Sequence, residues 1–221
     1  MLALTLFAVF FVVALAGVPL LIALLATTFG IIVAAGLGHP LETIVLSFIG
    51  GVEPFILLAV PLFIFAGELL AQGGVGKRIV EFARVLFGWL PGGLGVVTVM
   101  SCTMFGGVSG SAIADTAAIG SLVIPAMVAR GYSRGFAAAL LAVAGTIALL
   151  MPLSIPFLVY AFISGVSMRS LSMAGLLPAI ASALALAAVC VWQGRRTGVD
   201  RGGERSTPAQ IWAATRAAGP A

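Results

Sequence analysis

Phe105-Gly106-Gly107-Val108-Ser109-Gly110-Ser111-Ala112-Ile113-Ala114-Asp115 is a polar, glycine-rich stretch inside an otherwise apolar sequence. Asp115 is the only charged residue between Arg84 and Arg130. Lipid offers no water to main-chain amides and carbonyls. An irregular segment at membrane depth must therefore be buried in protein or line a cavity. Interruptions of this kind build ion and substrate sites in secondary transporters. The stretch sets two expectations: an all-α integral membrane fold, and a function located at a break in a helix.

Composition points the same way. Of 221 residues, 62% are hydrophobic and 8% charged, against roughly 25% charged in soluble domains. A compact soluble fold of this composition would leave too much apolar surface exposed. The net charge of +4 is uneven, because Arg195, Arg196, Arg201, Arg205 and Arg216 all follow the last apolar run. That is juxtamembrane charge, and it excludes a nucleic-acid module. Cys102 and Cys190 both lie in apolar segments and read as small buried hydrophobes. The single histidine, His39, precedes Pro40 and reads as an exposed loop residue. Residues 2–16 lack a basic leading region, and hydrophobicity resumes at once through Pro19 to Ala35. They are expected to be a first membrane helix and not a cleaved signal.

A bilayer crossing takes about 20 apolar residues. Residues 1–72 read as transmembrane scaffold helices. Within them, 2–36 form either one helix bent at Gly17-Val18-Pro19 or two short passes. Residues 37–53 are a weaker segment with Glu42 and Glu53, and 54–72 are a clear span that Gly73-Gly74 ends. Residues 73–91 read as an interfacial arm: Val75, Ile79, Phe82, Val85 and Leu86 recur at helical spacing, with Lys77, Arg78, Glu81 and Arg84 opposite. Residues 92–129 read as a re-entrant helical hairpin, its two arms of about 14–16 residues being short for full crossings. Residues 130–170 read as a transmembrane helix broken at Met151-Pro152-Leu153-Ser154-Ile155-Pro156. A last span, 171–194, leads to a cytoplasmic tail, 195–221, in which Ser206-Thr207-Pro208 caps a short helix ending near Arg216. On this path ten of the eleven basic residues are cytoplasmic, Arg169 being the exception, in keeping with the positive-inside rule.

A broken helix exposes carbonyls at one end and amides at the other. Carbonyls and hydroxyls replace the water shell of Na⁺, and helix N-termini favour an anion such as a carboxylate. At the first break Ser109 and Ser111 supply hydroxyls, while Gly106, Gly107 and Gly110 permit close approach. At the second, Thr146 and Ser154 supply hydroxyls and Met151 and Pro152 carbonyls. The candidate Na⁺ ligands are Ser109, Ser111, Met151 and Pro152. The plainer alternative is that small residues simply let helices pack. Asp115 lies one helical turn past Ser111, on the same face. It either takes part in the site, as intramembrane acids do, or favours the start of the returning helix. Glu68, near the end of a span, reads as an interface acid.

Several motifs together resemble a family: Val60-Pro61-Leu62-Phe63-Ile64-Phe65-Ala66-Gly67-Glu68-Leu69-Leu70, Gly92-Gly93-Leu94, Gly107-Val108-Ser109-Gly110-Ser111, Ile124-Pro125-Ala126-Met127 and Arg130-Gly131-Tyr132. Across about residues 15–195 the chain is similar to the large membrane subunit of TRAP (tripartite ATP-independent periplasmic) transporters, the dicarboxylate-type permease. The resemblance implies a Na⁺-coupled elevator transporter of organic acids in the bacterial inner membrane, without an organic cofactor. It implies a periplasmic substrate-binding protein and a small four-helix membrane subunit as partners. No Gly-x-x-x-x-Gly-Lys-Ser/Thr run for ATP is expected, and none occurs. The family's Gly-Pro-Ile-Ile-Pro-Pro-Ser-Ile at the second break is here Ala148-Leu149-Leu150-Met151-Pro152-Leu153-Ser154-Ile155, with one Gly and two Pro gone. The family also carries a second, inverted half. This chain corresponds to one half, so either it is truncated or a partner supplies the remainder.

Two other function classes follow from the same residues. Gly107-Val108-Ser109-Gly110 matches the Gly-x-Ser-Gly of rhomboid-type intramembrane serine proteases, whose chemistry needs a base within reach of the serine. His39 is the only histidine and sits in a loop far upstream, so no enzyme is expected. A membrane scaffold or regulator without transport is the second alternative.

Overall fold

The computed structural model describes residues 2–34, 36, 41–52, 55–152, 154–203 and 206–218, and every regular element among them is helical. The chain divides into two units, residues 1–54 and 55–221.

The first unit holds α1 (Leu2–Leu15), α2 (Leu20–Ala34) and α3 (Leu41–Val52). Residues 2–36 are two helices and not one bent helix: α1 ends before Gly17-Val18-Pro19, and α2 begins after Pro19. Pro19 has no N–H to give to the preceding turn, and a positive-φ residue such as Gly17 is a common helix stop. α1 and α2 pack on each other, and α2 buries Ala23 and Thr27, one turn apart. The Thr27 hydroxyl donates to Ala23 O at 2.7 Å, so its polarity is satisfied inside its own helix. His39 and Glu53 lie outside the described residues.

The second unit begins with α4 (Phe55–Gln72), which bends by 66° at Gly73-Gly74 into α5 (Val75–Phe87). α5 keeps the amphipathic register of its sequence. Val75, Ile79 and Ala83 are buried, and Lys77, Arg78, Glu81 and Arg84 are exposed. There follow α6 (Gly93–Ser109), α7 (Ala112–Ala129), α8 (Arg134–Ile147), a 3-10 turn (Ala148–Leu150), α9 (Ile155–Ser164), α10 (Met168–Thr197) and α11 (Pro208–Ala218). α11 opens with a capping box. Gln210 N donates to Thr207 Oγ1 at 3.4 Å, and Thr207 N donates back to Gln210 Oε1 at 2.9 Å. It packs on α5, where Ser206 Oγ donates to Val85 O at 2.8 Å.

α6 is the central element and packs against α5, α7, α8 and α10. Every residue from Gly93 to Val99 is buried. Its own Cys102 and Phe105, with Ile119, Val123 and Met127 of α7, are all at 1% exposure or less. Lipid is as apolar as these side chains, so their burial yields close contact and not removal from water. That favours small residues where helices cross, and α6 meets α10 through Gly95 against Cys190.

Among the described residues, α7, the α8–α9 segment and α10 are long and apolar enough to cross a membrane. The bent α4–α5 pair makes a fourth if it is counted as one span. α6 and α7 have 17 and 18 residues, longer than the sequence suggests, because helix persists through Gly106-Gly107 up to Ser109. Each is then roughly 26 Å long.

A candidate ion site where two helix breaks meet

The first break is only two residues wide. Gly110 ends α6 with φ 63°, and its N–H donates to Gly106 O at 3.1 Å. This left-handed conformation is open to glycine without a Cβ penalty. Ser111 follows in extended conformation and caps α7, its Oγ accepting from Ala114 N at 3.4 Å. Ser111 N in turn donates to Ser109 Oγ at 3.2 Å.

Ser109 Oγ donates to Asp115 Oδ1. Asp115 thus finds its partner across the break and not in Ser111, its neighbour on the helix face. Both side chains are sealed from solvent, Asp115 at 0% and Ser109 at 1% exposure. Asp115 sits in the first turn of α7, where the positive end of the helix dipole favours a carboxylate. Its second oxygen, Oδ2, has no hydrogen-bond partner among the described residues.

The second break keeps its interruption despite the missing glycine and prolines. The 3-10 turn gives way to Met151 in extended conformation (ψ 149°), and Ser154, also extended, opens α9 with Pro156 in its first turn. Ser154 Oγ donates to Leu149 O at 2.8 Å and Ser154 N to Met151 O at 3.3 Å. These bonds replace the ones that the lost helical turn would have made.

The two breaks touch. Ile155 N donates to Gly110 O at 3.4 Å. A Cβ on Gly106 would lie 2.6 Å from Ala148 Cα and 3.1 Å from Asp115 Oδ2, so the methyl of Ala148 fits because Gly106 has none. A Cβ on Gly107 would come within 3.2 Å of the Met151 methyl. From the other side α4 approaches, with Gly67 packed against the Ser109 carbonyl.

Gly107, Ser109, Gly110, Ser111, Asp115, Met151 and Ser154 therefore gather at one junction, with Pro152 in the adjoining turn. Thr146 stands apart from them. It is exposed, donates to Val143 O at 2.7 Å, and lines an apolar groove of about 820 Å³ with Ala112, Thr116 and Gly145. Glu68 is exposed and accepts from Gln72 at 2.9 Å. Cys102 and Cys190 are free and buried. The junction offers hydroxyl, carbonyl and carboxylate oxygens, the donors a hard cation prefers. No cluster of His, Cys, Asp and Glu suited to a transition metal exists among the described residues.

One residue at the opposite end escapes the sequence reasoning. Asp200 follows α10 with φ 53°, and its side chain is 1% exposed. Its Oδ2 accepts from Leu94 N at 2.7 Å and from the Tyr132 hydroxyl at 3.3 Å. Its Oδ1 pairs with Arg130 Nη1 at 2.6 Å, and its carbonyl accepts from Gly92 N at 2.8 Å. The reason lies in Gly92. There φ is 71°, and a Cβ would be 3.0 Å from the Cys190 carbonyl carbon. α6 therefore starts without a capping side chain of its own, and Asp200 supplies the acceptor from a distant part of the chain. Burial first, and then the Asp200 carboxylate, hold the Tyr132 phenol well above its ordinary range, so it remains a donor. The available signal was an acid in an arginine-rich tail, one of two with Glu204, set among Gly198, Gly202 and Gly203.

Comparison with known proteins assigns the family. Residues 7–221 match the family described as Tripartite ATP-independent periplasmic transporter, DctM component. The isethionate TRAP transporter permease protein DctMQ of Oleidesulfovibrio alaskensis is 40% identical over 87% of this chain and 30% of its own length. The 2,3-diketo-L-gulonate TRAP transporter large permease protein YiaN of Escherichia coli is 40% identical over 75% of this chain and 39% of its own. The C4-dicarboxylate TRAP transporter large permease protein DctM of Rhodobacter capsulatus is 35% identical over 90% of this chain and 50% of its own. The chain spans half or less of the length of these relatives. With two contacting helix breaks in an apolar helical fold and a family match over nearly its whole length, the chain belongs to the TRAP transporter large permease family.

Proposed function

We propose that this chain forms one half of the large permease subunit of a Na⁺-coupled elevator transporter for small organic acids, in the bacterial inner membrane. The observation that carries the reading is the contact between Gly110 O and Ile155 N, with the sealed Ser109–Asp115 pair beside it. Two breaks in contact concentrate oxygen ligands and helix ends at one point, as a coupling-ion site requires. Ser109, Ser111, Met151 and Pro152 are the proposed Na⁺ ligands, with Asp115 supplying compensating charge. The α6–α7 pair acts as a re-entrant hairpin that closes over this point. Substrate binds where the tip faces an opposing inverted half, and the substrate carboxylate is met by helix N-termini. A periplasmic binding protein delivers it, and a small membrane subunit braces the scaffold. C4-dicarboxylates represent the chemical class, the substrate in the name of the Rhodobacter capsulatus relative.

The test is uptake by a complete transporter containing this half. Ser109→Ala and Ser111→Ala should each raise the Na⁺ concentration for half-maximal uptake by about tenfold, the cost of one oxygen ligand worth ~1.4 kcal/mol, with membrane abundance unchanged. Uptake identical to wild type at every Na⁺ concentration removes these residues from the site.

A further inference from the structure

The two ends of the α6–α7 pair are held by different means. At the open end, where α6 starts and α7 stops, four hydrogen bonds converge on Asp200, from Gly92 N, Leu94 N, Arg130 and Tyr132. The nearby main chains of Gly92 and Gly194 are in direct contact. At the closed end, one main-chain bond of 3.4 Å ties Gly110 to α9.

Packing follows the same gradient. Gly93 to Val99 are buried without a gap, whereas near the turn buried Phe105, Gly106, Ser109 and Asp115 alternate with exposed Met104, Val108 and Ile113, Ile113 by 86%. A segment opens locally in proportion to how few buried contacts and bonds hold it. The carboxylate of Asp200 also does two jobs at once. It caps the amide end of α6 and neutralises the guanidinium at the end of α7.

We propose that Asp200 is a positioning residue. It fastens the open ends of α6 and α7 to the end of α10, and so confines opening of the pair to the Gly110 turn. The consequence for Na⁺ rests on the ion-site reading above; the fastening itself does not.

Hydrogen exchange of the chain in lipid nanodiscs, first without Na⁺, tests the proposal. Helical amides of residues 104–109 should exchange at least about tenfold faster than those of 94–99. Asp200→Ala should raise exchange at 94–99 about tenfold and leave α8 and the far half of α10 unchanged. Asp200→Asn keeps an acceptor for Leu94 N but loses the ion pair, and it should give a smaller rise in the same place. If Asp200→Ala does not fold, Asp200→Asn and Arg130→Gln carry the comparison. A uniform rise along all helices, or no change at 94–99, overturns the proposal. So does a wild type in which 94–99 exchanges as fast as 104–109.

Na⁺ is then titrated. In the wild type Na⁺ slows exchange at 104–109, and Asp200→Asn should shift the half-effect concentration upward about threefold by loosening the register of the turn. A wild type with no response to Na⁺ defeats the ion-site reading, while the rates at 94–99 still decide the fastening. A normal Na⁺ response in Asp200→Asn shows that Asp200 positions nothing at the turn and overturns that part of the proposal.

Discussion

The open end and the turn of the α6–α7 pair use glycine and a buried aspartate in contrasting ways. At the open end Gly92 is forced by a left-handed φ and by proximity to the Cys190 carbonyl, and the missing cap is supplied by Asp200 from the segment after α10. At the turn Gly110 is forced by a left-handed φ, and the missing cap is supplied locally by Ser111. Asp200 has several partners, including a guanidinium. Asp115 has one hydroxyl and an oxygen left unpaired among the described residues. The first arrangement is saturated and suits fixation. The second retains ligand capacity and suits binding. Buried carboxylates in one fold can thus be sorted by their partners before any assay is run.

The largest effect should come from Gly92→Ala. It faces both a positive φ and a clash with main chain, neither of which a side chain can relieve by rotating. A loss of about 3 kcal/mol is expected, read as a collapse in the fraction of monodisperse protein after heating in detergent. An unchanged thermal midpoint would mean that α6 and α10 do not approach so closely.

Next comes Gly106→Ala, at about 2 kcal/mol from overpacking against Ala148. Ala148→Gly on the same chain removes the methyl but leaves the position-148 Cα 2.6 Å from the new Cβ, so it should restore only part of this loss, a coupling of about 1 kcal/mol in a double-mutant cycle. Additive effects would separate the two breaks in space. Ser109→Ala should cost about 1 kcal/mol by depriving the buried Asp115 carboxylate of its one hydrogen bond among the described residues, measured as the shift in denaturation midpoint without Na⁺. Gly135→Ala is the smallest change. It lies in the first turn of α8 with open space around its Cβ, and it should stay within about 0.5 kcal/mol of wild type.

Much of this was legible in the sequence, for reasons that differ by residue. The helical class and the polar face of α5 follow from periodicity, which needs only neighbours three and four positions apart. The interruption at Gly110-Ser111 follows from local conformational preference. Helix through Gly106-Gly107 was not legible, because those glycines are kept helical by what packs on them, Ala148 and Met151, and not by their own propensity. Asp200 was illegible as a partner of Leu94, because a bond between residues 106 apart has no local signature. The Thr146 hydroxyl looked available in sequence but is engaged by its own helix, a use open to any threonine one turn above a carbonyl.

The bond from Ile155 to Gly110 is main chain on both sides. An alanine scan would pass over it in silence, since no side chain contributes to it. Only a proline at position 155, or an amide-to-ester exchange introduced by semisynthesis, deletes the donor. The donor at position 155 is therefore robust to most point mutation, and the side chain there is free to vary while the bond persists, whereas Gly110 is held to glycine by its φ of 63°.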